Sequence, residues 1–152
     1  MDLFKVILVS MLPIAELRGS IPLGLALGLN PIQTFLISVF FNSLVFFPVY
    51  FGLEWFYERI FSKVKFFEKI LERIRKKGSK YVEKYELAGL IIFVSIPSPF
   101  TGAYSGSALA WLFGIEWKKS FLAIFLGVLI AGIIVSIASL GLLAGLDFLA
   151  GI

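Results

Sequence analysis

Two long apolar segments of this sequence are each interrupted near the middle by prolines and polar side chains. The first segment, residues 3–29, contains the stretch PIAELRGSIP, and the second, residues 87–114, contains SIPSPFTGAYSGS. A proline inside a helix removes a backbone hydrogen bond and clashes with the preceding turn, which costs about 3 kcal/mol. Each half of a segment then spans about half of the hydrocarbon core as a helix. The pattern predicts two re-entrant helical hairpins, which enter and leave the membrane on one face.

Four prolines are the predicted breakers of these hairpins. Pro13 and Pro22 bracket the first polar centre, and Pro97 and Pro99 open the second. Non-helical backbone at this depth is tolerated only where protein or a water-filled cavity satisfies its polar groups. We therefore expect the two hairpin tips to meet near the middle of the membrane.

Composition also places the chain in a membrane. Hydrophobic residues make up 59% of it and charged residues only 16%, whereas soluble domains average about 45–50% and about 25%. Two further apolar segments, residues 31–57 and 118–146, exceed the roughly 20 helical residues that cross a bilayer. The sequence predicts an all-α integral membrane protein with a single membrane domain over residues 1–152. No small-residue cleavage site follows the first apolar run, so we expect no cleaved signal peptide.

The sequence contains neither Cys nor His. Disulfides, thiol catalysis and metal sites built on these residues are therefore excluded, and we expect no metal and no cofactor. Proton chemistry falls to carboxylates, and Glu16 is the carboxylate embedded in an interrupted segment. Because acid–base pairs are scarce, an enzyme is not expected.

The distribution of basic residues predicts the orientation. Residues 58–86 contain ten basic and five acidic residues, and Lys118 and Lys119 occupy the other short loop. These two loops lie on the same face if the interrupted segments are re-entrant, and on opposite faces if all four apolar segments span. The positive-inside rule favours the re-entrant arrangement, with both loops in the cytoplasm and both termini outside.

The two halves of the chain share the order of hairpin, connector and spanning helix. A shift of 86 residues superimposes Pro13 on Pro99 and Gly28 on Gly114 without a gap. If the hairpins enter from opposite faces, the repeat is inverted, as in many secondary transporters. The alternative is two similar hairpins that pack together with no pathway between them.

Polar side chains at the two interruptions predict an anion site. Ser20 and Thr101 are the predicted N-caps of the inner half-helices, with a proline in the first turn after Ser20. Each helix N-terminus offers unpaired N–H groups and about half a positive charge. Arg18 adds a cation, and Ser98 and Tyr104 add hydroxyl groups. Such a site suits a phosphate or a carboxylate.

Glu16 is the predicted proton or coupling site. Burying an ionisable group in a bilayer is costly, so such a group indicates function by default. A partly desolvated Glu16 beside a helix dipole and Arg18 can load and release a proton. The alternative is an ion pair or hydrogen-bonded clasp that holds the hairpin tips together. Asn42, in the first spanning segment, either contacts substrate or forms an interhelical hydrogen bond.

Residues 58–86 predict a basic amphipathic helix in the cytoplasm. Its apolar residues recur at helical spacing, as Ile60, Val64, Phe67, Leu71 and Ile74. Such a helix either lies on an anionic leaflet or packs on its own protein. Nucleic-acid binding is not expected, because the basic residues alternate with acidic ones and are tethered at the membrane.

The stretches PIAELRGSIPLGLALG and PSPFTGAYSGSALAWLFG resemble the small multidrug export proteins of prokaryotes, which are related to the DedA (VTT-domain) superfamily. This resemblance covers most of the chain. It implies opposed re-entrant hairpins, a place in the prokaryotic plasma membrane, transport or flipping of lipids such as polyprenyl phosphates, and a link to the proton motive force. Glu16 matches the acidic position of the first hairpin. The superfamily's arginine motif in the second hairpin is absent, since residues 87–114 contain no Arg or Lys, and Arg18 is expected to replace it.

Together these observations predict a small, proton-linked secondary transporter or flippase for an anionic or amphipathic substrate, including lipid-linked phosphates. The substrate would bind between the hairpin tips, and the small body predicts a homodimer. The alternative from another class is a non-transporting membrane scaffold, whose hairpins are structural and whose basic helix recruits lipid or partners.

Overall fold

The computed structural model describes the backbone of residues 1–82 and 85–151, and their side chains outside residues 77–82. The predicted basic segment thus includes two positions, 83 and 84, that lie outside the described residues. Every regular element in the described ranges is a helix, which confirms the all-α prediction. The elements are α1 (Asp2–Ser10), α2 (Glu16–Ala26), α3 (Pro31–Leu44), α4 (Phe46–Arg59), a 3₁₀ turn (Phe61–Lys63), α5 (Lys65–Val82), α6 (Glu86–Ser95), α7 (Ala103–Leu112) and α8 (Trp117–Ala150).

Among the described residues, two helical stretches are long and apolar enough to cross a bilayer. They are Pro31–Lys63, which contains α3 and α4, and Trp117–Ala150, which is α8. The first stretch includes the predicted spanning segment 31–57, and the second includes the predicted segment 118–146. The prediction of two membrane-capable helices is therefore confirmed.

The first of these stretches begins at a cap and has an interruption between α3 and α4. The side-chain oxygen of Asn30 accepts the N–H groups of Ile32 at 3.0 Å and Gln33 at 3.2 Å, and a proline occupies the first helical position. The interruption lies at Val45, three residues before Pro48. Pro48 has no N–H to donate to the carbonyl four residues earlier, so the helix lacks a hydrogen bond at this point.

Both interrupted segments fold as a helix, a break and a second helix. They are here termed the first unit, which contains α1 and α2, and the second unit, which contains α6 and α7. Residues 11–15 separate α1 from α2, and residues 96–102 separate α6 from α7. Pro13 lies in the first break, and Pro97 and Pro99 lie in the second. The re-entrant course, the inverted repeat and the cytoplasmic face remain predictions.

Two predictions about the start of α2 were wrong. This helix begins at Glu16 with Ala15 as its N-cap, so Ser20 lies inside the helix and does not cap it. Pro22 also lies inside α2 and does not end it. One proline removes a single hydrogen bond, and membrane helices tolerate this where neighbouring groups satisfy the freed carbonyl.

The long helices pack against the interrupted segments. The Ser20 hydroxyl donates to the Ser38 hydroxyl at 2.8 Å, and Gly24 lies directly against Thr34. Because Ser20 meets residue 38 and Gly24 meets residue 34, the two helices are antiparallel. α4 packs against α7, and α8 packs against α6 around Gly127, against α3 around Gly132, and against α2.

A glycine on α8 permits a close approach of this helix to α6. A Cβ atom at Gly127 would lie 2.6 Å from the Val94 Cβ and 3.0 Å from the Ile91 carbonyl oxygen. Real Cβ atoms do not approach so closely, so an added methyl group must push α6 and α8 apart.

We expect Gly127→Ala to lower the free energy of unfolding by about 1–3 kcal/mol, the usual cost of overpacking a tight core. The measurement is thermal unfolding in detergent, followed by circular dichroism. Gly141→Ala is the matched control, because it lies on the same helix with nothing within 4 Å of the added Cβ. Equal unfolding temperatures for the two variants would contradict this account of the α6–α8 contact.

Candidate functional site

The two breaks meet near the middle of both membrane-capable helices. A cavity of about 10 Å³, enough for roughly one water molecule, lies at this junction. Polar groups of both units and of α3 surround it, and α8 closes it with apolar side chains. The lining includes Glu16, Arg18, Asn42, Gly102, Val128 and Ala131.

Glu16 is the central group of this junction. The residue is only 5% exposed, and its φ of 44° is a left-handed backbone conformation that non-glycine residues rarely adopt. Such a conformation costs about 1–3 kcal/mol and occurs preferentially at functional sites. The Glu16 N–H donates to the Leu12 carbonyl at 3.0 Å, so the chain turns sharply and directs the side chain toward the second break.

The Glu16 carboxylate occupies the N-terminus of α7. Its Oε1 atom accepts the Tyr104 N–H at 3.4 Å, and its Oε2 atom lies 4.0 Å from Arg18 Nη2. Gly102 provides the space, since a Cβ there would lie 2.8 Å from the Glu16 Cδ. Gly102 also has a φ of 154°, which only glycine adopts readily. The positive end of α7 therefore holds a carboxylate from the other unit.

Thr101 does not cap α7, contrary to prediction, because the N-cap residue is Gly102, which has no side chain. The Thr101 hydroxyl bonds within the break, to the carbonyl groups of Ile96 at 2.5 Å and Ser98 at 3.1 Å. It also accepts the Ser98 N–H at 3.2 Å. Thr101 thus shapes the loop that places its own carbonyl at the junction.

Arg18 donates a hydrogen bond from the first unit to the second, and Tyr104 donates one from the second unit to the first. Arg18, on α2, donates from Nη2 to the Thr101 carbonyl in the second break. Tyr104, on α7, donates from its hydroxyl to the Met11 carbonyl in the first break at 2.5 Å. Each break thus has a backbone carbonyl bonded by a side chain of the other unit.

Asn42 connects the first unit to α3. Its side-chain amide donates to the Ser10 carbonyl at 2.8 Å, and the residue is almost fully buried. Of the two alternatives for Asn42, the structure shows the interhelical hydrogen bond. Ser20 is likewise buried and bonded to Ser38. The substrate-binding roles of Asn42, Ser20, Ser98, Thr101 and Tyr104 remain predictions.

An open apolar groove of about 460 Å³ begins beside this junction. Arg18 lies at its polar end, and its side chain is 22% exposed. The walls come from α2, the second break and the C-terminal half of α8. They include Pro22, Ala26, Pro97, Ile134, Leu142 and Leu143.

The sequence from residue 16 to residue 134 matches the model of a protein family described as "Putative small multi-drug export protein". The chain belongs to this family. The match starts at Glu16 and includes both inner helices of the junction, α2 and α7. No curated protein and no solved structure matches the chain significantly.

Family membership and the two membrane-capable helices indicate a small export or transporter-like membrane protein. The relationship to the DedA superfamily remains a prediction. In this small export protein, the reasoning from sequence brought Glu16, Arg18, Thr101 and Tyr104 to one site but missed Gly102. The repeat contained the signal, because the shift of 86 residues that pairs Pro13 with Pro99 also pairs Glu16 with Gly102 and Arg18 with Tyr104.

Proposed function

We propose that this small export protein is a proton-linked secondary transporter that moves an anionic amphipathic substrate through the junction of the two breaks. The observation that supports it most is the buried Glu16, beside Arg18, at the N-terminus of a broken helix near the middle of both long helices. Broken helices whose N-termini meet at mid-membrane form the substrate sites of many transporters. A buried charge at such depth is costly and indicates function.

The Glu16 carboxylate occupies the position that a substrate anion would take. It accepts an N–H from the first turn of α7 and lies near the Arg18 guanidinium, and both groups are typical partners of a phosphate. A proton on Glu16 would remove the charge that holds it there. Substrate anion and Glu16 carboxylate then compete for one site, and this competition would couple proton uptake to substrate binding.

The groove beside Arg18 favours a substrate with a hydrocarbon chain. Its walls are apolar, and its one charged group lies at the end nearest the junction. A lipid-linked phosphate matches both features, with the tail along α8 and the headgroup at Arg18. A homodimer remains a prediction from the small size of the protein.

Contacts at the ends of the second unit support its proposed re-entrant course. α7 ends beside the C-terminal half of α4, where the Trp111 indole donates to the Glu54 carboxylate. α6 begins shortly after α5, which follows that same end of α4. Glu86 and Leu90 of α6 line one cavity with Leu109 and Phe113, so both outer ends of this unit lie together, while its break lines the junction cavity with Asn42 of α3.

We expect Arg18→Gln to lower the rate at which a labelled phosphate lipid crosses the membrane by on the order of tenfold or more, the worth of a charged hydrogen bond. The measurement uses proteoliposomes that contain fluorescent phosphatidic acid or prenyl phosphate and an impermeant quencher added outside. Arg18→Lys should retain part of the rate, since lysine keeps the charge but not the planar fork. Lys119→Gln, an exposed position, is the control for lost charge.

A structural role for the junction is the alternative, and one observation favours it. Glu16, Arg18 and Tyr104 all have partners within the protein, as a clasp between two hairpins would require. If wild-type proteoliposomes move no phosphate lipid and Arg18→Gln only lowers the unfolding temperature, the protein is a scaffold. Equal flux through wild type and Arg18→Gln would exclude Arg18 from the substrate site.

A further inference from the structure

One side of α5 is fastened to the rest of the protein. Leu71 is buried, and Arg75 donates from Nη2 to the Trp111 carbonyl at 3.1 Å with its guanidinium over the Trp111 ring. Trp111 in turn donates from its indole nitrogen to the Glu54 carboxylate at 2.5 Å. These contacts connect α5 to α7 and α4 and fix its rotation about its own axis. Sequence reasoning identified Leu71 but not the Arg75–Trp111–Glu54 contacts.

The opposite side of α5 presents four exposed residues at spacings of i, i+3, i+4 and i+7. They are Phe66, Lys69, Ile70 and Arg73, here termed the basic-aromatic face. Ile70 lies at the edge of this face, because it also lines an apolar cavity with Trp111 and Leu112. Phe66 is 67% exposed. Because helical residues recur every 100°, Glu68 and Glu72 fall outside this face. Neither Lys69 nor Arg73 forms an ion pair with any residue that the structure describes.

Three contacts between a tryptophan ring and a basic side chain lie near the place where α5 packs on the other helices. Contacts of Trp117 with Phe51 and of Trp111 with Tyr57 place two of them beside α4, and Trp55 belongs to α4 itself. Tryptophan and basic residues concentrate where hydrocarbon meets water in membrane proteins. The pairs are Arg59 over Trp55, Arg75 over Trp111 and Lys118 over Trp117, at 5.5–5.8 Å.

We propose that the basic-aromatic face docks on the headgroup layer of an anionic leaflet. Phe66 and Ile70 insert below the headgroups, and Lys69 and Arg73 pair with lipid phosphates. The tryptophan pairs place α5 at the membrane boundary, the charge of the face is complementary to an anionic surface, and its apolar members gain by leaving water. This inference concerns the surrounding bilayer and is independent of what the junction transports.

The test uses single cysteines, because the chain has none of its own. Phe66→Cys and, as a matched control outside the face, Glu72→Cys are labelled with an environment-sensitive fluorophore and reconstituted in nanodiscs. The discs contain brominated phosphatidylcholine, alone or mixed with brominated phosphatidylglycerol. We expect bromine quenching at position 66 to increase with the anionic lipid and to fall in high salt, while position 72 changes little.

Adding Lys69→Gln and Arg73→Gln to the Phe66→Cys protein should reduce the partitioning of the probe by about 25-fold, since each cation near an anionic leaflet contributes a factor of about five. Lys118→Gln with Lys119→Gln removes the same charge elsewhere and should leave the quenching unchanged. Quenching at position 66 that does not change when the anionic lipid is added would overturn the proposal. So would a fluorescence change that depends on two copies per disc, which would assign the face to a second chain.

Discussion

Replacing Glu16 by Gln is expected to abolish the response of transport to a pH gradient while leaving the protein folded. Gln has nearly the same size and keeps an oxygen that can accept the Tyr104 N–H, so the junction retains its hydrogen bond. It cannot take up or release a proton and carries no charge to compete with a substrate anion. The measurement is phosphate-lipid flux in proteoliposomes with and without an imposed pH gradient.

Glu54→Gln is the matched control for this experiment. Glu54 is also a partly buried carboxylate of the helical bundle, but it bonds the Trp111 indole away from the junction. This variant should retain the gradient response. If Glu16→Gln responds to the gradient like the wild type, Glu16 is not the coupling group. If the wild type transports without any response, the transport is not proton-linked.

Replacing Gly102 by Ala is expected to destabilise the protein by about 2–4 kcal/mol and to stop transport. The backbone at φ 154° disfavours any side chain, and the new Cβ would occupy the place of the Glu16 carboxylate. The carboxylate must then leave the α7 N-terminus and lose its bond to Tyr104. Thermal unfolding in detergent and flux in proteoliposomes measure the two effects.

Gly28→Ala separates backbone strain from the loss of the carboxylate contact. Gly28 has a φ of 75°, but nothing lies within 4 Å of an added Cβ, so only strain of about 1–2 kcal/mol is expected. The double variant of Glu16→Ala with Gly102→Ala should cost less than the sum of the single variants, because the methyl group then has no carboxylate to displace. Additive costs, or a Gly102→Ala variant no less stable than Gly28→Ala, would show that this contact does not hold the junction.

Hydropathy and proline positions predicted which segments are long apolar helices and which are broken, but not that Pro22 lies inside α2. Long apolar runs gave the two membrane-capable helices, and polar interruptions with Pro13, Pro97 and Pro99 gave the two breaks. These features depend on local chemistry, since a proline or a cluster of polar residues changes the helix in which it lies.

The starts of α2 and α7 could not be predicted, because the side chains around them bond groups that are distant in the sequence. Ser20 and Thr101 have the side chains of N-caps, but a carboxylate 88 residues from Tyr104 occupies the N-terminus of α7. Asn42 likewise bonds a carbonyl 32 residues away. The type of each residue shows that its side chain forms a hydrogen bond, but tertiary packing decides which group is its partner.

Pro22 divides α2 into two parts with different surroundings. The outer part is anchored where Gly24 lies against Thr34, and the inner part contains Glu16 and Arg18. Because Pro22 cannot donate to the Arg18 carbonyl, the two parts are joined by one hydrogen bond fewer than in a regular helix, and bending costs least there. Movement at the junction would then need a swing of the first turns of α2 about this joint and the loss of the Ser20–Ser38 hydrogen bond, while the end of α2 beyond Pro22 stays packed on α3.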